Sequence, residues 1–309
     1  LSDEEFKSIL QNFTDEYAKF NSEREFHAFT TYFYNLEGSE QESILNGLSY
    51  TTLDEKLSEA YDGMNALETE QQFYNYVSNY SDILEIQVMD NGEKEVAEKE
   101  ISLHSIASFL NADRIVKVGD DYKKFIGSIA VISSTYSELL SINETHKIKA
   151  HTNFEEVYYI PNNGLKTVAI DAPLVWSAEN GKRCKRRREV YFASDLIVES
   201  VTSEYVPPIY KVFCRSRVEA RRKGIPCFWY KYNTDITWNN FRIVYEINGG
   251  AFVRAWNHSD QTANNVKKIV RTSTTWFSAT APTDVSWNRV RSTVTTSDLA
   301  QSIVVDQVF

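Results

Sequence analysis

The sequence predicts an α+β protein, in which a helical N-terminal domain with a small β-hairpin precedes an all-β antiparallel sandwich of the Ig-like kind. Three observations support this fold class. Helix-start signals concentrate in the first hundred residues, apolar and polar residues alternate beyond residue 150, and the charge changes sign between the two regions. We place the boundary after residue 147, so the predicted domains are residues 1–147 and 148–309.

Charge divides the chain in the same way. The 309 residues carry a formal net charge of −10. Residues 1–150 contain 28 acids and 12 bases, whereas residues 151–309 contain 15 acids and 21 bases. A hydrophobic content of 42% is enough for a buried core and excludes a wholly disordered chain. No run of about 18 apolar residues is present, so the sequence predicts no membrane-spanning helix.

Short helices are predicted in the N-terminal region by repeated capping boxes, in which a Ser or Thr precedes a Glu or Gln by three residues. The four pairs are Ser22 with Glu25, Ser39 with Glu42, Thr52 with Glu55, and Thr69 with Gln72. Apolar residues at helical spacing follow them, and we expect two buried stripes: Phe26, Phe29, Phe33 and Leu36, then Leu53, Leu57, Ala60, Tyr61 and Met64.

A hairpin and a linker are predicted to close this region. Residues 114–125 form two apolar runs around Gly119 and Asp120, which is typical of two strands joined by a tight turn. The polar stretch 133–147 that follows predicts a loop or linker.

Strand patterns dominate from residue 150 onward. We expect at least seven strands from the alternating segments at 189–200, 211–222, 228–238, 241–247, 252–256, 267–275, 289–295 and 301–309. In the segment 211–222 one strand face carries Phe213, Arg215, Arg217, Glu219 and Arg221, while small residues such as Cys214 and Ala220 share the other. We expect the face of small residues to be buried and the arginine face to be exposed.

Three cysteines, Cys184, Cys214 and Cys227, all lie in the basic region. An odd number leaves at least one thiol unpaired within the chain. Two interpretations stay open: one disulfide that involves Cys227, or three buried reduced thiols.

The sequence contains no familiar catalytic, phosphate-binding or dinucleotide-binding motif, and it predicts no cofactor and no metal site. The nearest approach to a catalytic group lies at the predicted domain junction. There His146, His151, Glu155 and Glu156 offer acid–base groups for a hydrolase acting on glycan or peptide.

Two groups of side chains in the basic region are candidates for ligand binding. They are an arginine series and two tryptophans: Arg215, Arg217, Arg221, Arg222, Trp229 and Trp238. Exposed arginines would attract a polyanion, and exposed tryptophans would stack on sugar rings. The alternative for the arginines is pairing with the acidic N-terminal region, and for the tryptophans it is a place in the core.

Residues 20–126 resemble uncharacterised exported lipoproteins of Bacteroidales-type gut bacteria. The similarity lies in Phe20-Asn21-Ser22-Glu23-Arg24-Glu25-Phe26, in residues 36–42, 48–53 and 109–114, and in Val118-Gly119-Asp120-Asp121-Tyr122-Lys123-Lys124-Phe125. The resemblance implies a signal peptide and a lipid-anchoring cysteine upstream of Leu1, and hence a cell-envelope location. It implies no activity.

These observations together predict a secreted or cell-envelope protein that acts as a non-enzymatic, adhesion-like binding module. The expected partner is a surface glycan, a polyanion or a protein. Nucleic acid is not expected because the whole chain is acidic and lacks a nucleic-acid-binding motif. Membrane contact is expected only through the N-terminal lipid anchor, and the alternative function is the hydrolase.

Overall fold

The computed structural model describes residues 1–99, 106–127, 129–142, 154–170, 175–179, 182–203, 206–224, 227–273, 276–299 and 302–309. For residues 154–187 and 201–208 the description is of the backbone. The fold class predicted from the sequence, α+β with antiparallel sheets, is confirmed.

Six α-helices are found in the described part of the chain, and five of them precede residue 80. They are α1 (Asp3–Leu10), α2 (Glu23–Asn35), α3 (Gly38–Asn46), α4 (Leu53–Gly63), α5 (Glu70–Ser78) and α6 (Tyr136–Leu140). The last of these lies in the stretch that was predicted to be a linker. None of the described helices is long and apolar enough to cross a membrane.

The predicted capping signals are correct for three helices and wrong for one. Thr52 and Thr69 each form a complete capping box, and the hydroxyl of Ser22 accepts from the backbone N–H of Glu25. Ser39 is not the N-cap, because α3 begins at Gly38 and Ser39 lies inside the helix. Glu37 and Glu40 form the capping box instead. The expected stripes on α2 and α4 are buried, except that Leu36 is only partly buried.

The described strands form two sheets. In chain order they are β1 (Lys19–Phe20), β2 (Leu84–Val88), β3 (Lys94–Glu98), β4 (Ile115–Val118), β5 (Asp121–Ile126), β6 (Ile129–Ser133), β7 (Phe154–Ile170), β8 (Val175–Glu179), β9 (Lys182–Ser203), β10 (Val206–Lys223), β11 (Phe228–Lys231), β12 (Thr234–Ile247), β13 (Phe252–Asn257), β14 (Gln261–Val266), β15 (Lys268–Thr272), β16 (Trp276–Ser278), β17 (Val285–Thr296) and β18 (Ile303–Val308). The hairpin predicted from Arg114 to Phe125 is confirmed as β4 and β5.

The larger sheet crosses the predicted domain boundary. It has 13 strands in the order β1-β4-β5-β6-β7-β9-β10-β11-β3-β2, with β15 and β16 also paired to β10 and β8 paired to β9. The boundary is crossed twice, because β6 pairs with β7 and β3 pairs in parallel with β11. The architecture therefore differs from an Ig-like sandwich confined to residues 148–309, since strands of the N-terminal region complete the sheet.

Two large apolar cores hold these layers together. The first core collects α1, α2, α4 and α5 with β1 and the β2–β3 hairpin, and it also takes in Phe228 and Tyr230 of β11. Phe228 stacks on Phe73 of α5 with ring centroids 4.9 Å apart. The second core lies between β9 and β10 of the larger sheet and the five-stranded sheet, whose order is β13-β12-β17-β18 with β14 paired to β12.

Of the two interpretations of the cysteines, the disulfide that involves Cys227 is confirmed, and three reduced thiols are excluded. Cys227 is disulfide-bonded, whereas Cys214 is a free thiol buried in the second core. Burial raises the pKa of the Cys214 thiol, so this cysteine behaves as a small apolar residue.

Candidate functional site

A cleft of about 370 Å³ lies where the helical region meets the edge of the larger sheet. One wall is formed by α3 and by the first two turns of α4, and the other by β14 and β15. The cleft is lined by Tyr34, Gln41, Glu42, Leu45, Asn46, Thr52, Asp54, Glu55, Leu57, Ser58, Tyr61, Glu98, Ser108, Lys231, Asn233, Gln261, Ala263 and residues 265–272. Its size is within the range of about 300–1,000 Å³ that is typical of ligand sites.

Charged side chains at the base of the cleft form a connected network. The ammonium group of Lys268 lies 2.7 Å from a carboxylate oxygen of Asp54 and 3.5 Å from one of Glu98. Lys231 joins Glu98 at 2.6 Å to Glu219 of β10 at 2.9 Å. These contacts fix α4, β3, β10, β11 and β15 to one another.

The network favours the charged forms of Glu98, Lys268 and Glu219. Burial disfavours the ionised Glu98 carboxylate, but Lys231 and Lys268 outweigh that effect, so the pKa of Glu98 lies below its ordinary value. Burial likewise disfavours the Lys268 ammonium, yet Asp54 and Glu98 raise the pKa of Lys268 above its ordinary value. The neighbouring Glu219 has a lowered pKa, because the attraction of Lys231 and Arg217 exceeds the effect of burial.

Arg271 on β15 is the exception among the cations of the cleft. Its side chain is buried, and none of the described carboxylates lies within ion-pair distance of it. One guanidinium nitrogen donates to the carbonyl of Val270 at 2.9 Å, and another donates to the side-chain oxygen of Gln261. Burial lowers the pKa of Arg271, and the more distant Glu42 offsets this only in part.

The arginine face of β10 is not exposed, which corrects the prediction from the sequence. Arg215 is only 8% exposed, and Arg217 and Arg221 are engaged with carboxylates. Arg221 contacts Glu95 of β3 at 2.8 Å and Glu189 of β9 at 2.7 Å. Pairing with the acidic N-terminal region, the alternative interpretation, therefore applies to the contact of Arg221 with Glu95, whereas Glu189 belongs to the basic region itself.

The contacts of Arg217 and Arg222 show how these two side chains are engaged. Arg217 lies 3.7 Å from Asp195 and 3.6 Å from Glu219. The guanidinium of Arg222 donates to the Tyr230 hydroxyl at 3.2 Å.

The two candidate tryptophans are core residues rather than a sugar-stacking platform. Trp229 and Trp238 are each 3% exposed. The indole N–H of Trp229 donates to Glu93 at 2.8 Å, and that of Trp238 donates to the Ser292 hydroxyl at 2.8 Å. A buried indole needs such an acceptor, so both side chains are satisfied where they are.

The junction residues of the alternative function are not brought together by anything the structure describes. His146 and His151 lie outside the described residues. Glu155 and Glu156 belong to β7, and their backbones pair with Ala130 and Ile129 of β6. Within the described part of the chain, no group of three or more His, Cys, Asp or Glu side chains is placed to hold a metal ion.

Sequence reasoning missed the cleft because its members are far apart along the chain. Asp54 and Lys268 are separated by 214 residues, and each belongs to an element whose own pattern gives no reason to single it out. The adjacent pair Lys267 and Lys268 was a weak signal. Consecutive strand residues point to opposite faces of a sheet, so a lysine must face an interior surface when both faces are covered.

Comparison with known proteins gives little further information. No family model matches the sequence, and no curated protein matches it. Among solved structures, the chain is similar to the crystal structure of a DUF4848 family protein from Bacteroides thetaiotaomicron VPI-5482. The two share 12% identity, with 95% of this chain and 97% of that chain covered, and the TM-score is 0.29. A likeness at that level carries no argument about function.

Proposed function

We propose that this protein is a non-enzymatic binding module of the cell envelope and that it holds its ligand in the cleft between α3, α4 and the β14–β15 segment. The observation that carries the proposal is the cleft itself. It is large enough for a small ligand or a short segment of a polymer, and both of its walls are fixed by ion pairs.

The protonation states of the cleft support binding over hydrolysis. A general acid or base works best when its pKa lies near the working pH. In this cleft the lowered pKa of Glu98 keeps the carboxylate ionised, and the raised pKa of Lys268 keeps the ammonium protonated. Neither group is suited to exchange a proton with a substrate near neutral pH.

The charge balance favours a glycan or a protein ligand over a polyanion. The described lining residues include four acids, Glu42, Asp54, Glu55 and Glu98, and four bases, Lys231, Lys267, Lys268 and Arg271. Their formal charges cancel, so the cleft has no excess of positive charge to attract a polyanion. The arginine face of β10, which suggested such a ligand, is covered.

The cysteine chemistry supports a location outside the reducing cytosol. Cys227 is disulfide-bonded. Disulfides form and persist mainly in oxidising compartments, such as the bacterial periplasm and the cell surface. The disulfide and the lipoprotein resemblance of residues 20–126 point to the same location, and the lipid anchor is part of this proposal.

A matched pair of substitutions on α3 tests the site. Asn46 is exposed and lines the cleft, whereas Ser43 is exposed on the same helix and is not among the lining residues. Asn46→Trp should obstruct the mouth of the cleft, and Ser43→Trp should not. We would screen the wild-type protein on a glycan array and on an array of random dodecapeptides at about 50 mM salt, where electrostatic contacts are screened less than at physiological salt.

The expected result is a set of ligands whose affinity falls at least about tenfold, or about 1.4 kcal/mol, in Asn46→Trp and is unchanged in Ser43→Trp. Equal retention of every ligand by the two variants would show that binding occurs elsewhere. If the wild-type protein retains no ligand on either array, the proposed function is contradicted.

A further inference from the structure

The cleft contains the open edge of strand β15. This strand pairs with β10 in antiparallel fashion, and the direction of its hydrogen bonds can be read from its two ends. The backbone N–H of Ala220 donates to the carbonyl of Lys267 at 2.9 Å, and the N–H of Ser273 donates to the carbonyl of Cys214 at 2.7 Å. In an antiparallel pair only alternate residues bond to the partner. The N–H and C=O groups of Lys268, Val270 and Thr272 therefore point away from β10.

Within the described part of the chain, β10 is the only strand that pairs with β15. All of residues 267–272 line the cleft. Consecutive strand residues can all line one cleft only when the cleft runs alongside the edge of the strand. One outward carbonyl, that of Val270, accepts from the Arg271 side chain. The outward N–H groups of Lys268, Val270 and Thr272 have no acceptor among the described contacts. An open edge of this kind is a template for another strand.

The surroundings of the edge favour an extended chain over a compact ligand. Outward backbone groups recur every second residue, or about 6.7 Å along the strand, which is the repeat of another β-strand. Across the cleft, the edge faces the wall formed by α3 and α4. Arg271 adds a buried positive charge without a carboxylate partner among the described residues.

We propose that the ligand is an extended peptide that adds to the edge of β15 as a further strand, with an acidic side chain placed beside Arg271. The inference rests on the proposed function, since it names the occupant of the same cleft. Backbone hydrogen bonds to Lys268, Val270 and Thr272 supply the affinity, and the carboxylate on the guanidinium supplies the register and selectivity.

Peptides selected from the dodecapeptide array provide the test with the unmodified protein. Methylating alternate backbone nitrogens of a selected peptide removes either the N–H groups that face β15 or those that face away. One of the two methylated series should lose at least about 95% of binding, and the other should keep most of it. Changing the acidic residue of the peptide to its amide should weaken binding at least fivefold.

A second test acts on the protein. Val270→Pro removes one outward N–H and leaves the bonds between β15 and β10 in place, because proline is tolerated at an edge position that donates nothing to the ladder. This variant should lose binding of the selected peptides at least tenfold while its thermal unfolding midpoint shows that it is folded. If it does not fold, the methylated peptides still decide the question.

The outcomes separate this inference from the proposed function. One outcome is that the protein retains glycans but no peptide, and that Asn46→Trp weakens the glycan binding. This result would confirm the cleft as the binding site and overturn strand addition. Peptides that bind equally well in both methylated series would also overturn it. Glycans or peptides that bind the Asn46→Trp variant as tightly as the wild-type protein would contradict both proposals.

Discussion

Two half-buried histidines each contain a buried ring nitrogen without a described hydrogen-bond partner. His27 on α2 has no described partner for Nδ1, and His258 has none for Nε2. Burial, together with the nearby Lys211 and Lys123, lowers the pKa of His27 to about 2, although Glu199 acts in the opposite direction. Burial and Arg271 lower the pKa of His258 to about 4. Both imidazoles are therefore neutral in the folded protein near pH 7.

These histidines predict that the protein loses stability as the pH falls below about 6.5. The unfolded chain binds protons at histidine below that pH, whereas the folded protein does not bind them at these two sites. The free energy of unfolding should therefore fall by up to about 1.4 kcal/mol per pH unit for each histidine. Urea unfolding at pH 7.5, 6.5 and 5.5 measures this slope.

The variant His27→Gln is the control. Glutamine does not titrate, so this variant should reduce the pH dependence of the free energy of unfolding by the contribution of about one bound proton. The carboxylates with lowered pKa values contribute to the slope only at lower pH. A free energy of unfolding that is constant between pH 7.5 and 5.5 would contradict this prediction.

Two acidic residues that each have two basic partners should contribute differently to stability, because one is buried and the other is exposed. Glu219 is nearly buried and contacts Lys231 at 2.9 Å, Arg217 at 3.6 Å and the Tyr191 hydroxyl at 2.5 Å. Asp306 also has two basic partners, Arg289 and Arg291, but its side chain is 45% exposed.

We expect Glu219→Gln to reduce the free energy of unfolding by about 3 kcal/mol, because it leaves buried cations partly uncompensated. Asp306→Asn should cost less than about 1 kcal/mol, since water screens the surface pair. Both values come from the same denaturant titration at pH 7.5. Equal losses in the two variants would show that the Glu219 network is solvated.

The first turn of α4 connects a local sequence signal to the cleft. Thr52 accepts from the backbone N–H of Glu55 at 3.2 Å, and the Glu55 carboxylate accepts from the N–H of Thr52 at 2.7 Å. Asp54 lies within this turn and contacts Lys268. The capping box therefore positions one of the charged residues that line the cleft.

We predict that Thr52→Ala destabilises the protein by about 1–2 kcal/mol, because the first turn loses its side-chain cap at a buried position. Ser2→Ala is the matched control, since Ser2 and Glu5 form the same box on α1 with both residues exposed. That variant should cost less than about 1 kcal/mol by the same chemical denaturation. A Thr52→Ala protein as stable as Ser2→Ala would indicate that α4 is held by packing alone.

At the scale of secondary-structure elements, the sequence predicted much of what formed. The capping boxes at Thr52 and Thr69 and the Gly119 turn of the β4–β5 hairpin are correct, because each depends on residues only a few positions apart. The short helix α6 was missed because it has only five residues and its first residue carries no side-chain cap. The cleft could not be predicted, because its two walls meet only after the chain has folded.

The acidic and basic regions form one structural unit through shared strands and a shared core. Strand β3 of the N-terminal region pairs with β11, and Phe228 of β11 stacks on Phe73 of α5. The ion pair between Arg221 and Glu95 joins residues 126 positions apart. Unfolding of one region would expose the core of the other.

We therefore predict a single unfolding transition for the whole chain. All six tryptophans lie between residues 176 and 287, whereas the described helices all precede residue 141. Tryptophan fluorescence and circular dichroism at 222 nm thus report on different regions. The two signals should give the same midpoint in urea, because the regions share a sheet and a core.

A variant at the shared core extends this test. Phe228→Ala should lower the common midpoint by an amount equivalent to about 3–5 kcal/mol, since it removes a buried aromatic side chain from both regions at once. Two separate transitions, or a midpoint that shifts for one signal only, would show that the regions fold independently.

By itself the sequence determined where several helices begin, which residues of β10 share a face, and that acidic and basic regions follow one another. These properties depend on neighbours along the chain and on the periods of helix and strand. Only the tertiary structure decided that the arginine face of β10 is covered, that β11 joins β3, and that Asp54, Glu98 and Lys268 meet at a cleft. A period of two residues defines the faces of a strand, but it carries no information about which distant element covers each face.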